Sequence, residues 1–158
     1  MKFENAIEIN APVDEVFEFV ADMRNTPKWN YYVTRVVQES GNGPALGARY
    51  HQTRKMDEQR YQISRYEQDH SLTVETLPGS SPEFKRHMRF EPVAGGTRVI
   101  DQWSLRTGYP GLLENLAGGR IRNAVAENLD KLKELLEVGQ TQLQDGRMMI
   151  YSSGDGNR

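Results

Sequence analysis

The sequence predicts an α+β protein in which a curved antiparallel sheet wraps around a long C-terminal helix. The chain opens with a strand pattern that is followed by a short amphipathic helix pattern. A second amphipathic pattern, over Arg120–Val138, closes the folded part. Between these two patterns lie almost only strand and turn signals. We therefore expect a seven-stranded sheet, with a cavity between the sheet and the long helix.

A change of periodicity marks the opening strand and helix. Apolar residues alternate with polar ones from Phe3 to Ala11, as in a half-buried strand. Pro12 suits the first position of a helix, because its missing N–H would lack a partner there in any case. Thr26-Pro27 then interrupts the helical pattern. The apolar face of this first helix is formed by Val13, Val16, Phe17 and Val20.

Six further strands are predicted from alternating patterns separated by turn signals. The connections between them are short, so neighbouring strands are expected to pair as antiparallel hairpins. The predicted strands lie at roughly Val33–Gln38, Gly47–Lys55, Arg60–Tyr66, Ser71–Thr76, Phe84–Glu91 and Thr97–Thr107.

The C-terminal third of the chain predicts a helix followed by a tail. Pro110 is expected to start a short helical lead-in with Leu112, Leu113 and Leu116, and Gly118-Gly119 to break or bend it. We expect one domain over residues 1–139 and a poorly packed tail over 140–158, which is rich in Gln, Gly, Ser and Asp. The apolar patch Met148–Tyr151 in this tail could dock on the domain or fray.

Composition excludes several functional classes. The 20 basic and 22 acidic residues give a net charge of −2, which provides no strong field to recruit nucleic acid or an acidic membrane. Cysteine is absent, which excludes a disulfide and a thiolate nucleophile. No secretory signal or transmembrane run is visible, so we expect a cytoplasmic protein without stable membrane insertion. The histidines lack metal-ligand spacing, and we expect no metal and no cofactor.

The last predicted hairpin places an arginine and an aspartate on an apolar face. If its turn spans Pro92–Gly96, Arg86 and Asp101 become diagonal neighbours, within side-chain reach and beside Trp103. A buried pair would satisfy both charges, and the arginine could stack on the indole. The pair could anchor a carbonyl, phenol or carboxylate, or it could be an internal salt bridge. A one-residue slip would turn both side chains outward. The expected register pairs Phe90 with Val99, Met88 with Asp101 and Arg86 with Trp103.

One face of the third predicted strand must line the interior. We choose the face of Tyr50, Gln52 and Arg54, because the other face is wholly polar and charged. Tyr50 and Gln52 would then supply hydrogen-bonding groups within an aromatic cavity, as small-molecule sites often do. Tyr61 faces the same way on the next strand. For both Tyr50 and Arg54, plain core packing is the alternative that stays open.

The order of elements and several local motifs resemble the START/Bet v 1-like superfamily and, within it, the polyketide cyclase/dehydrase-like branch. The match covers residues 3 to about 138. The motifs are Ile9-x-Ala11-Pro12-Val13-x-x-Val16-Phe17, Pro27-x-Trp29, Gly47-x-x-Tyr50, Phe90-Glu91-Pro92-x-x-Gly95-Gly96-Thr97-Arg98-Val99 and Asn128-Leu129-x-x-Leu132-x-x-Leu135-Leu136-Glu137. The resemblance implies a helix-grip fold with two short helices after the first strand. It implies no shared catalytic residue, so catalytic residues stay unknown.

The leading functional hypothesis is binding of a small, largely apolar molecule that is aromatic or polyketide-, lipid- or isoprenoid-like. An aromatic polyketide cyclase or dehydratase is an alternative, in which Arg86 polarises a carbonyl and Asp101 or Tyr50 moves a proton. A protein-interaction module, similar to co-chaperone or ribosome-associated members of the superfamily, is a third, and a homodimer is left open. The candidate site residues are Trp29, Tyr32, Tyr50, Gln52, Tyr61, Arg86, Met88, Asp101 and Trp103.

Overall fold

The computed structural model describes residues 1–106 and 111–152, with side chains described for all of these except 111–116. The strands are β1 (Lys2–Ile9), β2 (Val33–Ser40), β3 (Arg49–Arg54), β4 (Glu58–Glu67), β5 (Ser71–Thr76), β6 (Glu83–Val93), β7 (Gly96–Arg106), β8 (Gln140–Gln142) and β9 (Met148–Ile150). The helices are α1 (Val13–Ala21), a 3-10 helix (Met23–Lys28) and α2 (Gly111–Val138).

Strands β1 to β7 form one antiparallel, curved sheet in the order β1-β7-β6-β5-β4-β3-β2. Every neighbouring pair consists of consecutive strands except β1 and β7, which join the two ends of the chain's sheet-forming part. The predicted α+β helix-grip architecture, with two short helices after the first strand and a long helix after the last, is confirmed.

The core is formed where α1 and the second half of α2 meet the sheet. Phe17 of α1 contacts the ring of Phe90 edge-on at 5.1 Å between ring centroids. Leu132 and Leu135 of α2 are completely buried in the same cluster. Both ends of the chain therefore contribute to one core cluster with the sheet.

Helix α2 is continuous across Gly118 and Gly119, so the predicted break there is wrong. Two glycines cost a helix about 1 kcal/mol each, and the buried contacts farther along α2 offset such a cost. Pro110 lies outside the described residues, and the side chains of Leu112, Leu113 and Leu116 lie outside them as well. In the described part of the chain, no helix is long and apolar enough to cross a membrane.

The chain after α2 is ordered as far as Tyr151, so the prediction of a poorly packed tail is wrong for residues 140–151. Strands β8 and β9 pair antiparallel, and Leu143 between them is buried. Tyr151 is also buried, packs against Phe19 of α1 and donates a hydrogen bond to Glu15 at 2.8 Å. The polar composition of this segment concealed a few apolar residues that pack on the core, among them Tyr151, which contacts α1. Residues 153–158 of the predicted tail lie outside the described residues.

We predict that Gly96→Ala destabilises the fold. Gly96 begins β7 beside the end of β1, and a Cβ atom there would overlap the carbonyl oxygen of Ile9. A backbone clash cannot be relieved by a side-chain rotation, so we expect the free energy of unfolding to fall by about 2–3 kcal/mol. Urea denaturation measures the change.

Gly119→Ala is the matched control, since Gly119 is exposed on α2 and its added Cβ would meet nothing. This variant should gain up to about 1 kcal/mol through helix propensity. Equal midpoints for Gly96→Ala and the unchanged protein would contradict the proposed close approach of β1 and β7.

Candidate ligand-binding site

A cavity of about 440 Å³ lies between the sheet and α2. Helix α2 contributes Ile121, Ala124, Val125 and Asn128 to its wall, at the i, i+3, i+4, i+7 spacing of one helix face. The next residue on this face toward the C-terminus of α2, Leu129, is buried in the core instead. Short side chains at positions 124 and 125 thus leave open the space that leucines fill farther along the helix.

A buried ion pair lies on the sheet side of the cavity. Strands β6 and β7 pair in the predicted register, with Met88 opposite Asp101 and Arg86 opposite Trp103. Arg86 donates from Nε to Asp101 Oδ1 at 2.7 Å and from Nη2 to Oδ2 at 2.6 Å. Trp103 Nε1 donates to the same Oδ2 at 3.1 Å. Both carboxylate oxygens are therefore occupied, as a fully buried charge requires.

Two indole rings contact the guanidinium of the arginine. The guanidinium carbon of Arg86 lies 4.7 Å from the ring centroid of Trp103 and 5.3 Å from that of Trp29. These distances are typical of cation–π contacts, which gain strength when water is excluded. Arg86 lines the cavity, and its remaining nitrogen, Nη1, has no hydrogen-bond partner among the described residues. The ion pair therefore fixes the guanidinium and leaves its Nη1 group able to donate a hydrogen bond to a ligand.

A second polar group lies on the hairpin of β3 and β4, which β5 separates from β6 in the sheet. Gln52 Nε2 donates to Gln59 Oε1 at 2.9 Å, and Gln59 Nε2 donates to the carbonyl oxygen of Pro82 at 2.8 Å. Arg54 Nη1 makes a longer contact of 3.5 Å with Gln59 Oε1. Gln52, Gln59 and Arg54 all line the cavity. The predicted inward facing of Tyr50 and Gln52 on β3 is confirmed by their burial.

Six of the nine residues proposed from the sequence line this cavity, and three do not. Met88 borders a separate cavity of only about 20 Å³, because it packs into the core under Trp29 and α1. Asp101 is buried behind Arg86, which covers its carboxylate. The six lining residues are Trp29, Tyr32, Gln52, Tyr61, Arg86 and Trp103.

Tyr50 is part of the core and not of the cavity wall. Its ring stacks on Tyr61 with 5.4 Å between centroids, and its hydroxyl is buried without a hydrogen-bond partner among the described residues. Burial, reinforced by the nearby negative charge of Asp22, raises the pKa of Tyr50 to about 12. Burial also raises the pKa of Tyr61. Both phenols therefore stay protonated near neutral pH.

The structure adds lining residues that the sequence interpretation missed. Gln59 follows from Tyr61 by the two-residue period of β4, so this signal was available. Asn128 follows from Ile121 by the helical period of α2, and its buried Oδ1 has no partner among the described residues. Nothing in the local sequence indicates that the loop residue Asn30 reaches the cavity. Within the described chain, no cluster of three or more His, Asp or Glu residues is placed to hold a metal ion.

We predict that Asp101→Asn is strongly destabilising. It leaves the Arg86 guanidinium buried, with its charge uncompensated, which typically costs about 3–5 kcal/mol. Chemical denaturation followed by tryptophan fluorescence measures this loss. The double variant Arg86→Met, Asp101→Leu should recover most of it, because it removes both charges and keeps the volume.

Glu67→Gln serves as the control, since it breaks the exposed Arg65–Glu67 pair, whose atoms are 3.0 Å apart. Such a pair is worth less than about 1 kcal/mol. A loss for Asp101→Asn that is no larger than the loss for Glu67→Gln would contradict the role of the buried pair.

The sequence matches the model of one known protein family. Residues 1–137 match the model of the family described as polyketide cyclase / dehydrase and lipid transport. No curated protein matches the sequence significantly.

Solved structures at low sequence identity share the fold. A START superfamily protein from Mycobacterium smegmatis superimposes with a TM-score of 0.70 at 12% identity, over 85% of this chain and 98% of that one. DynU16, a protein of the dynemicin biosynthetic locus, has a TM-score of 0.67 at 21% identity, over 87% of this chain and 48% of that one. The Aha1 dimer from Colwellia psychrerythraea has a TM-score of 0.65 at 14% identity, over 88% of this chain and 98% of that one.

At these identities the structural likeness establishes the fold alone, whereas the family match extends over most of the sequence. The chain therefore belongs to the polyketide cyclase/dehydrase and lipid transport family.

Proposed function

We propose that this protein binds a small, largely apolar molecule of aromatic, polyketide-like, lipid-like or isoprenoid-like character in the cavity under α2. The observation that carries the proposal is a cavity of about 440 Å³ that has mostly apolar and aromatic walls and a fixed arginine in one of them. This volume is in the usual range for small-molecule sites, in which apolar walls supply affinity and a few polar groups set orientation. The family description, which includes lipid transport, supports the same class of ligand.

The charges around the cavity favour a ligand with an electron-rich oxygen. Three arginines, Arg54, Arg86 and Arg120, line it, and its described lining includes no acidic side chain. Asp101 compensates the charge of Arg86 from behind, and Asp57 lies 3.4 Å from Arg54. Arg86 can therefore donate to a carbonyl, phenol or carboxylate without a large desolvation cost, since its charge is already paired.

The entrance is proposed to lie between the β3–β4 turn and α2. Met56 in that turn borders the cavity and yet is 90% exposed. Arg120 on α2 is also exposed, and Tyr32 is partly so. An apolar ligand would pass Met56 and Tyr32 and then reach Arg86 at the inner wall.

Binding is better supported than the cyclase or dehydratase alternative. That reaction needs a proton shuttle in contact with the substrate. Asp101 has both oxygens engaged and is fully buried, and Tyr50 does not line the cavity. The described lining contains neither a carboxylate nor a histidine, and burial raises the pKa of Tyr61, which would need to lose a proton to act as a base.

The interaction-module alternative keeps one observation in its favour. Met148 and Ile150 on β9 are exposed apolar residues at 55% and 72%, whereas Met149 and Tyr151 pack on the core. Met148→Ser with Ile150→Ser would test this surface without removing the packed residues of the hairpin. A homodimer and a cytoplasmic location stay predictions.

Filling the cavity should abolish binding. In Ala124→Trp, an indole replaces a methyl group on the cavity-facing side of α2, so the site is occluded. Titration with the apolar fluorophore N-phenyl-1-naphthylamine should show saturable binding to the unchanged protein and at least tenfold weaker binding to the variant.

Asn123→Trp is the matched control, because Asn123 precedes Ala124 on the exposed side of the same helix. It should bind the fluorophore as the unchanged protein does. The proposal fails if the unchanged protein does not bind the fluorophore, or if Ala124→Trp binds it equally well. Native mass spectrometry of the protein from its own host would then give the mass of any ligand that co-purifies.

A further inference from the structure

A chain of two amides leads from the backbone of Pro82 to the cavity. Its links are the two hydrogen bonds from Gln59 to Pro82 and from Gln52 to Gln59, at 2.8 and 2.9 Å. Gln59 is 1% exposed and Gln52 is 8% exposed, so both amides are held in the interior. Neither residue is needed for the anchor at Arg86, which lies on β6, three strands from Gln52 and two from Gln59.

The direction of this chain is determined by chemistry. A backbone carbonyl can only accept, so Gln59 must present its NH₂ group to Pro82 and its oxygen to Gln52. Arg54, which can only donate, lies 3.5 Å from the same Gln59 oxygen and requires the same orientation. Gln52 must then turn its own NH₂ group toward Gln59. Exchange of nitrogen and oxygen in either amide would place two donors or two acceptors together.

The free end of the chain is therefore an acceptor. Gln52 Oε1 receives no hydrogen bond from the described residues. This oxygen is also not completely shielded from solvent. Since Gln52 lines the cavity, its oxygen is open to a ligand. An acceptor held in this orientation favours a ligand that brings a hydrogen-bond donor.

The donor and acceptor sites lie well apart. Gln52 is on β3 and Arg86 on β6, three strand spacings or about 14 Å apart across the sheet. Gln52 pairs with Gln59, which is four residues along β4 from Ile63, the residue level with Arg86. Side-chain reach and sheet curvature shorten the gap that a ligand must span. An elongated, rigid frame can therefore present an acceptor to Arg86 at one end and a donor to Gln52 at the other.

We propose that Gln52, oriented by Gln59, is a specificity-determining residue that selects elongated apolar ligands with a hydroxyl or phenol at the end opposite a carbonyl or carboxylate. This inference rests on the proposed ligand-binding function, and it adds a required pair of polar groups and their separation. A purely structural role for the two glutamines would not discriminate between ligands that differ by one hydroxyl.

The test compares estrone with 3-deoxyestrone, which lacks only the phenol of that rigid ketone. Both are measured by displacement of N-phenyl-1-naphthylamine. The unchanged protein should bind estrone on the order of fivefold more tightly than 3-deoxyestrone, as expected for one neutral hydrogen bond. Gln52→Met should bring that ratio to about one while leaving the affinity for 3-deoxyestrone nearly unchanged. Gln59→Met should give an intermediate ratio, because Gln52 can then rotate.

Gln62→Met is the control, since Gln62 lies on β4 with its side chain away from the cavity lining. It should preserve the fivefold preference. Three outcomes would overturn the inference and leave ligand binding itself standing. The unchanged protein could bind the two steroids with equal affinity, or neither steroid could displace a bound fluorophore. Gln62→Met could also lose the preference as fully as Gln52→Met does. Absence of fluorophore binding would instead overturn the proposed function.

Discussion

The buried pair of Arg86 and Asp101 is the interaction on which the site depends. A guanidinium in an apolar interior is tolerated only if its charge is compensated and its donors are used. Asp101 meets this requirement with two short hydrogen bonds, and Trp103 donates to the same carboxylate. These bonds require the observed register of β6 and β7, since a slip of one residue between the strands would place the two charges on opposite faces of the sheet. The ion pair therefore links sheet register to the presence of a polar anchor.

Different parts of helix α2 contribute to stability and to the cavity. Its second half buries Leu129, Leu132 and Leu135 completely or almost so, which supplies packing and hydrophobic stabilisation. Its preceding turns place Ala124 and Val125 over the sheet, and there the cavity remains open. Because the leucine contacts already fix the helix, the short side chains can leave a void without loss of the fold.

The polar groups of the cavity are consistent with recognition more than with catalysis. Arg86 and Gln52 are each held by a neighbour that is itself buried, so each presents one orientation to a ligand. Such preorganisation lowers the entropic cost of binding. A proton shuttle has the opposite requirement, because it must gain and lose a proton at the substrate. Tyr50 does not border the cavity, and Tyr61, which does, has its pKa raised by burial.

The sequence by itself determined the hairpin pairing of consecutive strands, the inward faces of β3, β4, β6 and β7, and the β6–β7 register, because period-two alternation and a short turn are local properties. These local properties are sufficient to pair Arg86 with Asp101. They do not separate the part of an inner face that packs from the part that borders a void, which is why Tyr50 and Met88 are predicted in the cavity wall and yet lie in the core. Only the tertiary structure decided this, since the division depends on where α1 and the leucines of α2 come to lie. The ordering of residues 140–151 was decided in the same way, through contacts of Tyr151 with Phe19 and Glu15 that lie more than a hundred residues away in the chain.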